Sequence, residues 1–316
     1  MTEPPPVIPL SLPTPFPVGP VNSYLLPGDP PVLVDCGVRS ATSLERLEAR
    51  LAEHGVAVAD LGAILVTHPH YDHSGAAVTL STRAGIPVRF HPLGDGRVER
   101  SRGAFRETLA RYGAPASLFP DLDRFDRMGD RFGEPLQRAP HKAYLNDGDR
   151  VSAGRFTFEV LHTPGHNQAH LCFLDREAGL LITGDLLLPD ITPNPLPHFD
   201  ADAPRGRQPS LALFLSSLDR VEALGSLRGL GGHGPEMPDT AEVARRCREA
   251  IFRRSQRVLD LCRAHRGDTL FALGERLFGE ETGIGRTLAF SEILAHCDYL
   301  EAQGALTVDH DAGRVV

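Results

Sequence analysis

Short apolar runs alternate with longer stretches of helical spacing along most of this chain. Residues 21–26 and 32–37 flank Gly28-Asp29-Pro30 and read as strand, turn, strand, an antiparallel hairpin. Leu44, Leu47 and Leu51 recur at helical spacing over 42–54, and Gly55 ends the pattern. Ala63-Ile64-Leu65-Val66-Thr67 is short, apolar and branched, which predicts a buried strand. Residues 86–90 predict another. The alternation then breaks. Residues 92–143 carry Phe105, Leu109 and Tyr112 at i, i+4, i+7, and Leu118, Phe119, Leu122, Phe125, Met128 and Phe132 continue the apolar set, so a mostly helical insertion is expected. Short strands resume at 149–151, 156–161, 169–174 and 180–183. A helix over 209–224 and a strand at 227–230 follow.

From 239 the pattern is helical, to about 265 and again over 268–279 and 286–303. A short strand-turn-strand ending closes the chain. Helices followed by a terminal hairpin form the outline of a winged helix. Three parts are expected: a Pro-rich N-terminal arm over 1–20, an α/β body over 21–238 that contains the insertion, and a helical, winged-helix-like C-terminal domain over 239–316. No repeat at a solenoid period is visible.

Composition narrows the classes. Eight of the first 20 residues are proline, which predicts an extended arm laid over the fold rather than a signal peptide. No apolar run reaches the length of a membrane span, so no membrane partner and a cytoplasmic location are the default expectation. A net charge of −8 argues against a polyanion-binding surface. The five cysteines, Cys36, Cys172, Cys247, Cys262 and Cys297, form no CxxC pair and are odd in number, which suits free thiols in a reducing compartment.

The chemistry concentrates in Thr67-His68-Pro69-His70-Tyr71-Asp72-His73-Ser74-Gly75. If the chain stays extended past the strand at 63–67, residues 68, 70 and 72 point to one side. His73 would begin a following helix. Three imidazoles and a carboxylate then meet at a strand end, a nitrogen and oxygen donor set suited to zinc, iron or manganese. His166 follows the strand at 156–161 in His162-Thr163-Pro164-Gly165-His166. Asp185 ends Leu180-Leu181-Ile182-Thr183-Gly184-Asp185, and His233 sits in Gly231-Gly232-His233-Gly234. A lone Asp after a strand is more often a cap. Four strand ends that each deliver a ligand-type residue form a joint signal. His170 reads either as a hydrogen-bonding support for a ligand or as a plain strand residue.

The order HxHxDH, TPGH, GD, GHG resembles the metallo-β-lactamase fold superfamily. Within it, the chain is similar to the glyoxalase II branch and to the β-lactamase-like protein 2 group with its C-terminal winged helix. The resemblance implies a four-layer αββα sandwich with two metals at one edge. It assigns His68, His70 and His166 to one metal, Asp72, His73 and His233 to the second, and Asp185 as the bridge. Two divalent ions are implied, zinc first, with iron and manganese as alternatives. The expected reaction is hydrolysis by a metal-bound hydroxide, with Asp72 also handling the leaving-group proton.

The substrate is less legible. The aromatic insertion would lid the site and line a pocket for an ester, thioester or lactone, although packing onto the sandwich accounts for most of its apolar side chains. A phosphodiesterase or endoribonuclease acting on single-stranded RNA is the alternative. It rests on the winged-helix outline and on Arg245, Arg246, Arg248, Arg253, Arg254, Arg257, Arg263 and Arg266. The region 286–303 carries Glu292, Asp298 and Glu301, which would repel phosphates. A small-molecule partner is therefore expected ahead of nucleic acid, and a homodimer is left open.

Overall fold

A computed structural model of the chain describes residues 6–95, 98–200, 202–279 and 282–316. Two sheets stack face to face. The first runs Ile8–Leu12, Val21–Leu26, Val32–Val34, Ala63–Leu65, Val88–Phe90 and Lys142–Tyr144. Its first three strands pair antiparallel, and the rest are parallel. The change occurs where the helix Ala41–Ala52 supplies the crossover that parallel pairing requires. The second sheet runs Arg228–Gly231, Leu180–Gly184, Leu171–Asp175, Phe156–His162 and Arg150–Ala153.

Burial follows the expected layers. Leu26, Val34 and Leu65 of the first sheet meet Phe158, Val160 and Phe173 of the second in the central core. Leu44, Leu47 and Leu80 cover the outer face of the first sheet from two helices. Leu211, Phe214 and Val243 cover the outer face of the second. Central strands are therefore buried on both faces, which is why they read as continuous apolar runs. The fold is an αββα sandwich of mixed α/β type, extended by C-terminal helices and a hairpin.

The N-terminal arm differs from expectation. Ile8–Leu12 does not lie over the fold but pairs with Val21–Leu26 as the edge strand, and it buries Leu10 and Leu12. Pro9 is tolerated because an edge strand leaves one side of its backbone unpaired. Residues 1–5 lie outside the described residues. The strand Lys142–Tyr144 is not visible in the sequence, because its three exposed side chains give no apolar run.

The insertion forms the helices Val98–Arg111 and Phe119–Phe132. Its apolar face does not pack mainly onto the sandwich. Leu109, Tyr112, Leu118 and Leu122 share a core with Val258, Phe271, Phe290 and Ile293 from the C-terminal helices Thr240–Ala264, Leu270–Phe278 and Ile284–Ala302. Phe290 is fully buried at its centre, with ring centroids 6.2 Å from Phe105 and 6.1 Å from both Tyr112 and Phe271. Segments more than 100 residues apart thus complete one hydrophobic unit, a pairing that helical periodicity cannot reveal.

The insertion also grips the His/Asp segment. A Cβ on Gly133 would come within 2.1 Å of the Tyr71 ring, so only glycine allows the approach. The Arg39 amide donates to the Phe132 carbonyl at 2.6 Å, and the Arg39 side chain pairs with Glu134. Phe290→Ala is expected to cost ~3–5 kcal/mol in urea unfolding, as large-to-small core changes do. Amide protection should fall together in 105–132 and 270–302. Loss confined to the C-terminal helices would refute the shared core.

Candidate metal centre

The seven residues singled out in the sequence converge at the carboxyl ends of four strands. His68 and His70 follow Ala63–Leu65, His166 follows Phe156–His162, Asp185 follows Leu180–Gly184, and His233 follows Arg228–Gly231. Side chains at 68 and 70 gather as an extended segment predicts. Asp72 does not reach the site by alternation: Tyr71–Ser74 is already a helical turn, which carries both Asp72 and His73.

Three groups of donor atoms form, each within 4.8 Å of one another: His68, His70 and His166; His68, His73 and Asp185; Asp72, His73 and His233. In the first, His68 Nε2 and His166 Nε2 lie 2.9 and 3.0 Å from His70 Nδ1. Asp185 stands between the groups. Its Oδ2 is 3.8 Å from His166 Nε2, 3.5 Å from His73 Nε2 and 3.7 Å from His233 Nε2. Asp72 Oδ2 is 3.4 Å from His233 Nε2.

For four of the five rings a contact on the far side fixes which nitrogen faces the cluster, and His70 alone turns Nδ1 inward. His166 Nδ1 donates to the Asn194 carbonyl at 2.9 Å, and His233 Nδ1 donates to the Pro20 carbonyl at 2.8 Å. His73 Nδ1 donates to Asp35 Oδ2 at 2.8 Å. His68 Nδ1 donates to the Thr67 hydroxyl at 3.1 Å, and that hydroxyl donates onward to Asp35 Oδ2 at 2.7 Å. In each case this turns Nε2 to the cluster, the arrangement by which outer hydrogen bonds orient metal-binding histidines.

Asp35 and Asn194 escape the sequence reading. The hairpin absorbs Asp35, yet Val32-Leu33-Val34-Asp35 repeats the feature that marks Asp185, an apolar strand ending in a carboxylate. Asp35 is 2% exposed and adopts φ +54°, a left-handed conformation that Asp tolerates better than most residues. Asn194 acts through its backbone carbonyl, for which no residue type gives a signal. His170 resolves as a support: it is fully buried, its Nδ1 lies 2.8 Å from the Thr163 hydroxyl, and its Nε2 accepts from the Asp185 amide at 3.1 Å. Gly184, at φ +47°, makes room for it, since a Cβ there would meet His170 Nε2 at 2.8 Å.

Electrostatics separate the two sides. Burial, then the neighbouring imidazoles, holds His68 well below the ordinary histidine range. Burial, then His166, brings His70 down to about 3. Burial also lowers His166. These rings are neutral at physiological pH, the form that binds a cation. Burial opposes charge on His73 as well, but Asp185, Asp72 and Asp35 outweigh it and raise His73 well above the ordinary range. Asp185 is driven far down despite burial, chiefly by His73.

The residues fit a pair of divalent cations. Asp35 and Asp185 are buried and Asp72 is partly so, and all three lie beside His73, a cluster of carboxylates suited to divalent cations. His73 Nε2 and Asp185 Oδ1 are buried and make no hydrogen bond among the described residues, as expected of atoms that face a cation. A Cβ on Gly232 would come within 2.2 Å of Asp185 Oδ1, so glycine there keeps the cradle open.

The five cysteines are all buried and free, and none joins the clusters. Among the described residues, no helix is long and apolar enough to cross a membrane.

Comparison with known proteins agrees with this geometry. A probable metallo-hydrolase, YqjP of Bacillus subtilis (strain 168), is 26% identical over 315 residues, which span 95% of this chain and 94% of that protein. A hydroxyacylglutathione hydrolase, GloC of Haemophilus influenzae, is 30% identical over 146 residues, 45% of this chain and 56% of that protein. The crystal structure of a metallo-beta-lactamase family protein from Thermus thermophilus superposes with a TM-score of 0.83 at 29% identity, covering 98% of this chain and 97% of that one. The family model for the metallo-beta-lactamase superfamily matches residues 16–233. The chain belongs to the metallo-beta-lactamase superfamily and is a metal-dependent hydrolase of that fold.

Proposed function

We propose that the chain hydrolyses an ester, thioester or lactone of small-molecule size, using two divalent cations. His68, His70 and His166 would hold one, Asp72, His73 and His233 the other, and Asp185 both. The observation that carries this reading is the position of Asp185 Oδ2, within 3.8 Å of a histidine from the first set and of two from the second. Bound there, the cations supply Lewis acidity that polarises a carbonyl and makes water nucleophilic near neutral pH. Asp35 and Thr67 keep the bare nitrogens of His68 and His73 on the cluster side. Asp72 Oδ2, at the mouth of the second set, is the atom assigned to carry a proton to the leaving group. Zinc is the first expectation for the metal, with iron or manganese as alternatives.

A thioester is the favoured member of the substrate class, in keeping with the glyoxalase II-like motif order and with the acylglutathione hydrolase among the relatives. The RNA-cleaving alternative loses support from the arginine-rich helix. Four of the eight arginines at 245–266 are already paired, Arg245 with Glu242, Arg248 with Asp219, Arg253 with Glu249 and Arg254 with Glu292. Asp298 and Glu301 of the winged-helix-like part are tied to Arg207 and Arg205. Arginines already paired with carboxylates release few counterions on meeting a phosphate backbone.

Four outcomes are expected. Chelation should abolish turnover of a thioester substrate, and zinc, iron or manganese should restore it. In parallel assays on a lactone, a phosphodiester and single-stranded RNA, the phosphorus substrates should be turned over at least tenfold more slowly. RNA cleavage as the fastest reaction would reverse the assignment. Asp185→Asn should lose bound metal, measured by elemental analysis, together with hydrolysis. Asp35→Asn should retain the far-UV circular dichroism of the parent but bind metal ~10–100-fold more weakly, because an amide nitrogen cannot accept the His73 Nδ1 proton. Unchanged metal affinity in that variant would remove Asp35 from the site.

A further inference from the structure

One cavity of the described residues is lined by none of the seven converging donors. A cavity of about 280 Å³ opens between the segment 191–195 and the helices Thr240–Ala264 and Ile284–Ala302. Small-molecule sites span ~300–1,000 Å³, so any occupant is short. Pro193, Pro195, Leu211 and Ile251 give it an apolar wall, and Arg254, Glu292 and His296 give it a polar one.

The polar wall is preorganised. Arg254 is anchored twice, by its pair with Glu292 and by the Phe278 ring, whose centroid lies 5.1 Å from the guanidinium carbon. Only one of its N–H groups is used by Glu292, and among the described residues the others make no hydrogen bond. His296 is 2% exposed, with Nδ1 held 2.9 Å from the Ser255 hydroxyl. Burial, then Arg254, lowers His296 to about 3, so it is uncharged at physiological pH. One cation and one carboxylate cancel. An anionic occupant would meet Glu292, and a cationic one Arg254. A neutral group that offers one acceptor and one donor satisfies both, and a secondary amide is such a group.

The wall of the cavity also carries a metal-site contact. Pro193 and Pro195 flank Asn194, whose carbonyl accepts from His166 Nδ1 and whose side chain donates to the Leu288 carbonyl at 2.9 Å. Anything packed against the two prolines therefore bears on the segment that orients His166. Ile191 at 52% exposure and Leu288 at 44% leave apolar surface in these same segments.

We infer that this cavity binds a short, uncharged, amide-bearing molecule with an apolar body, and that occupancy biases His166 through Asn194. None of the seven donors lines the cavity, and its occupancy does not depend on the hydrolytic reading. The intact, zinc-loaded chain is titrated with N-butylbutanamide, octanoate and octylamine, with binding read by calorimetry and the histidine rings by 15N NMR. The amide should bind at least tenfold more tightly than either ion and should shift the His166 ring signals. Ala250→Phe, which fills the cavity from the helix Thr240–Ala264, should weaken amide binding tenfold or more. Glu292→Gln leaves Arg254 without its carboxylate, so octanoate should gain at least tenfold. Failure of the amide to bind, equal binding of the amide and the two ions, undiminished binding by a folded Ala250→Phe variant, or no gain for octanoate in Glu292→Gln each overturns the site. Amide binding with unmoved His166 signals overturns the coupling.

Discussion

The Asp35 carboxylate is the constraint around which the metal centre is built. It is buried, and it accepts from the Thr67 amide, the Thr67 hydroxyl and His73 Nδ1. Through Thr67 it also fixes His68. One side chain therefore sets the tautomer of a histidine in each donor set. An unpaired buried carboxylate is costly, so these donors are as necessary to Asp35 as Asp35 is to them. The left-handed backbone at Asp35 is part of the same arrangement. It turns the chain as Val32–Val34 ends, beside the neighbouring strand Ala63–Leu65 that delivers His68.

Rigidity then propagates outward from the cluster by backbone contacts rather than by side-chain chemistry. Pro20 and Asn194 offer carbonyls to His233 and His166, and His170 accepts the amide of Asp185. Tyr71 is trapped beneath Gly129 and Gly133 of the insertion. The insertion in turn is held by the C-terminal helices through the core around Phe290. A continuous chain of packed contacts therefore joins the C-terminal helices to the metal loop. Of the eight arginines at 245–266, Arg245, Arg248, Arg253 and Arg254 are paired with carboxylates, which halves the positive charge that this stretch offers a polyanion.

Much of this is legible in the sequence. The strands at 21–26, 63–65, 156–162 and 180–184, the long helices and the seven converging donors all follow from apolar runs, helical spacing and ligand-type residues at strand ends. What escapes has physical reasons. Lys142–Tyr144 is an exposed edge strand with no apolar run. Ile8–Leu12 is held by pairing across the sheet, and its proline content points to an arm instead. Alternation would place Asp72, whereas the chain has already turned helical at Tyr71.

Sequence alone determined which residues could bind a cation and that they would meet at strand ends, because strand periodicity and donor chemistry are local properties. Only the tertiary structure decided which nitrogen of each histidine is bare, because that depends on partners up to 213 residues away, as between His233 and Pro20. It also decided that the helices of the insertion give most of their apolar face to the C-terminal core and less of it to the sandwich. Hydrophobic spacing reports that a helix has an apolar face. It does not report what covers that face, since apolar attraction is non-directional and only the packed chain selects the partner.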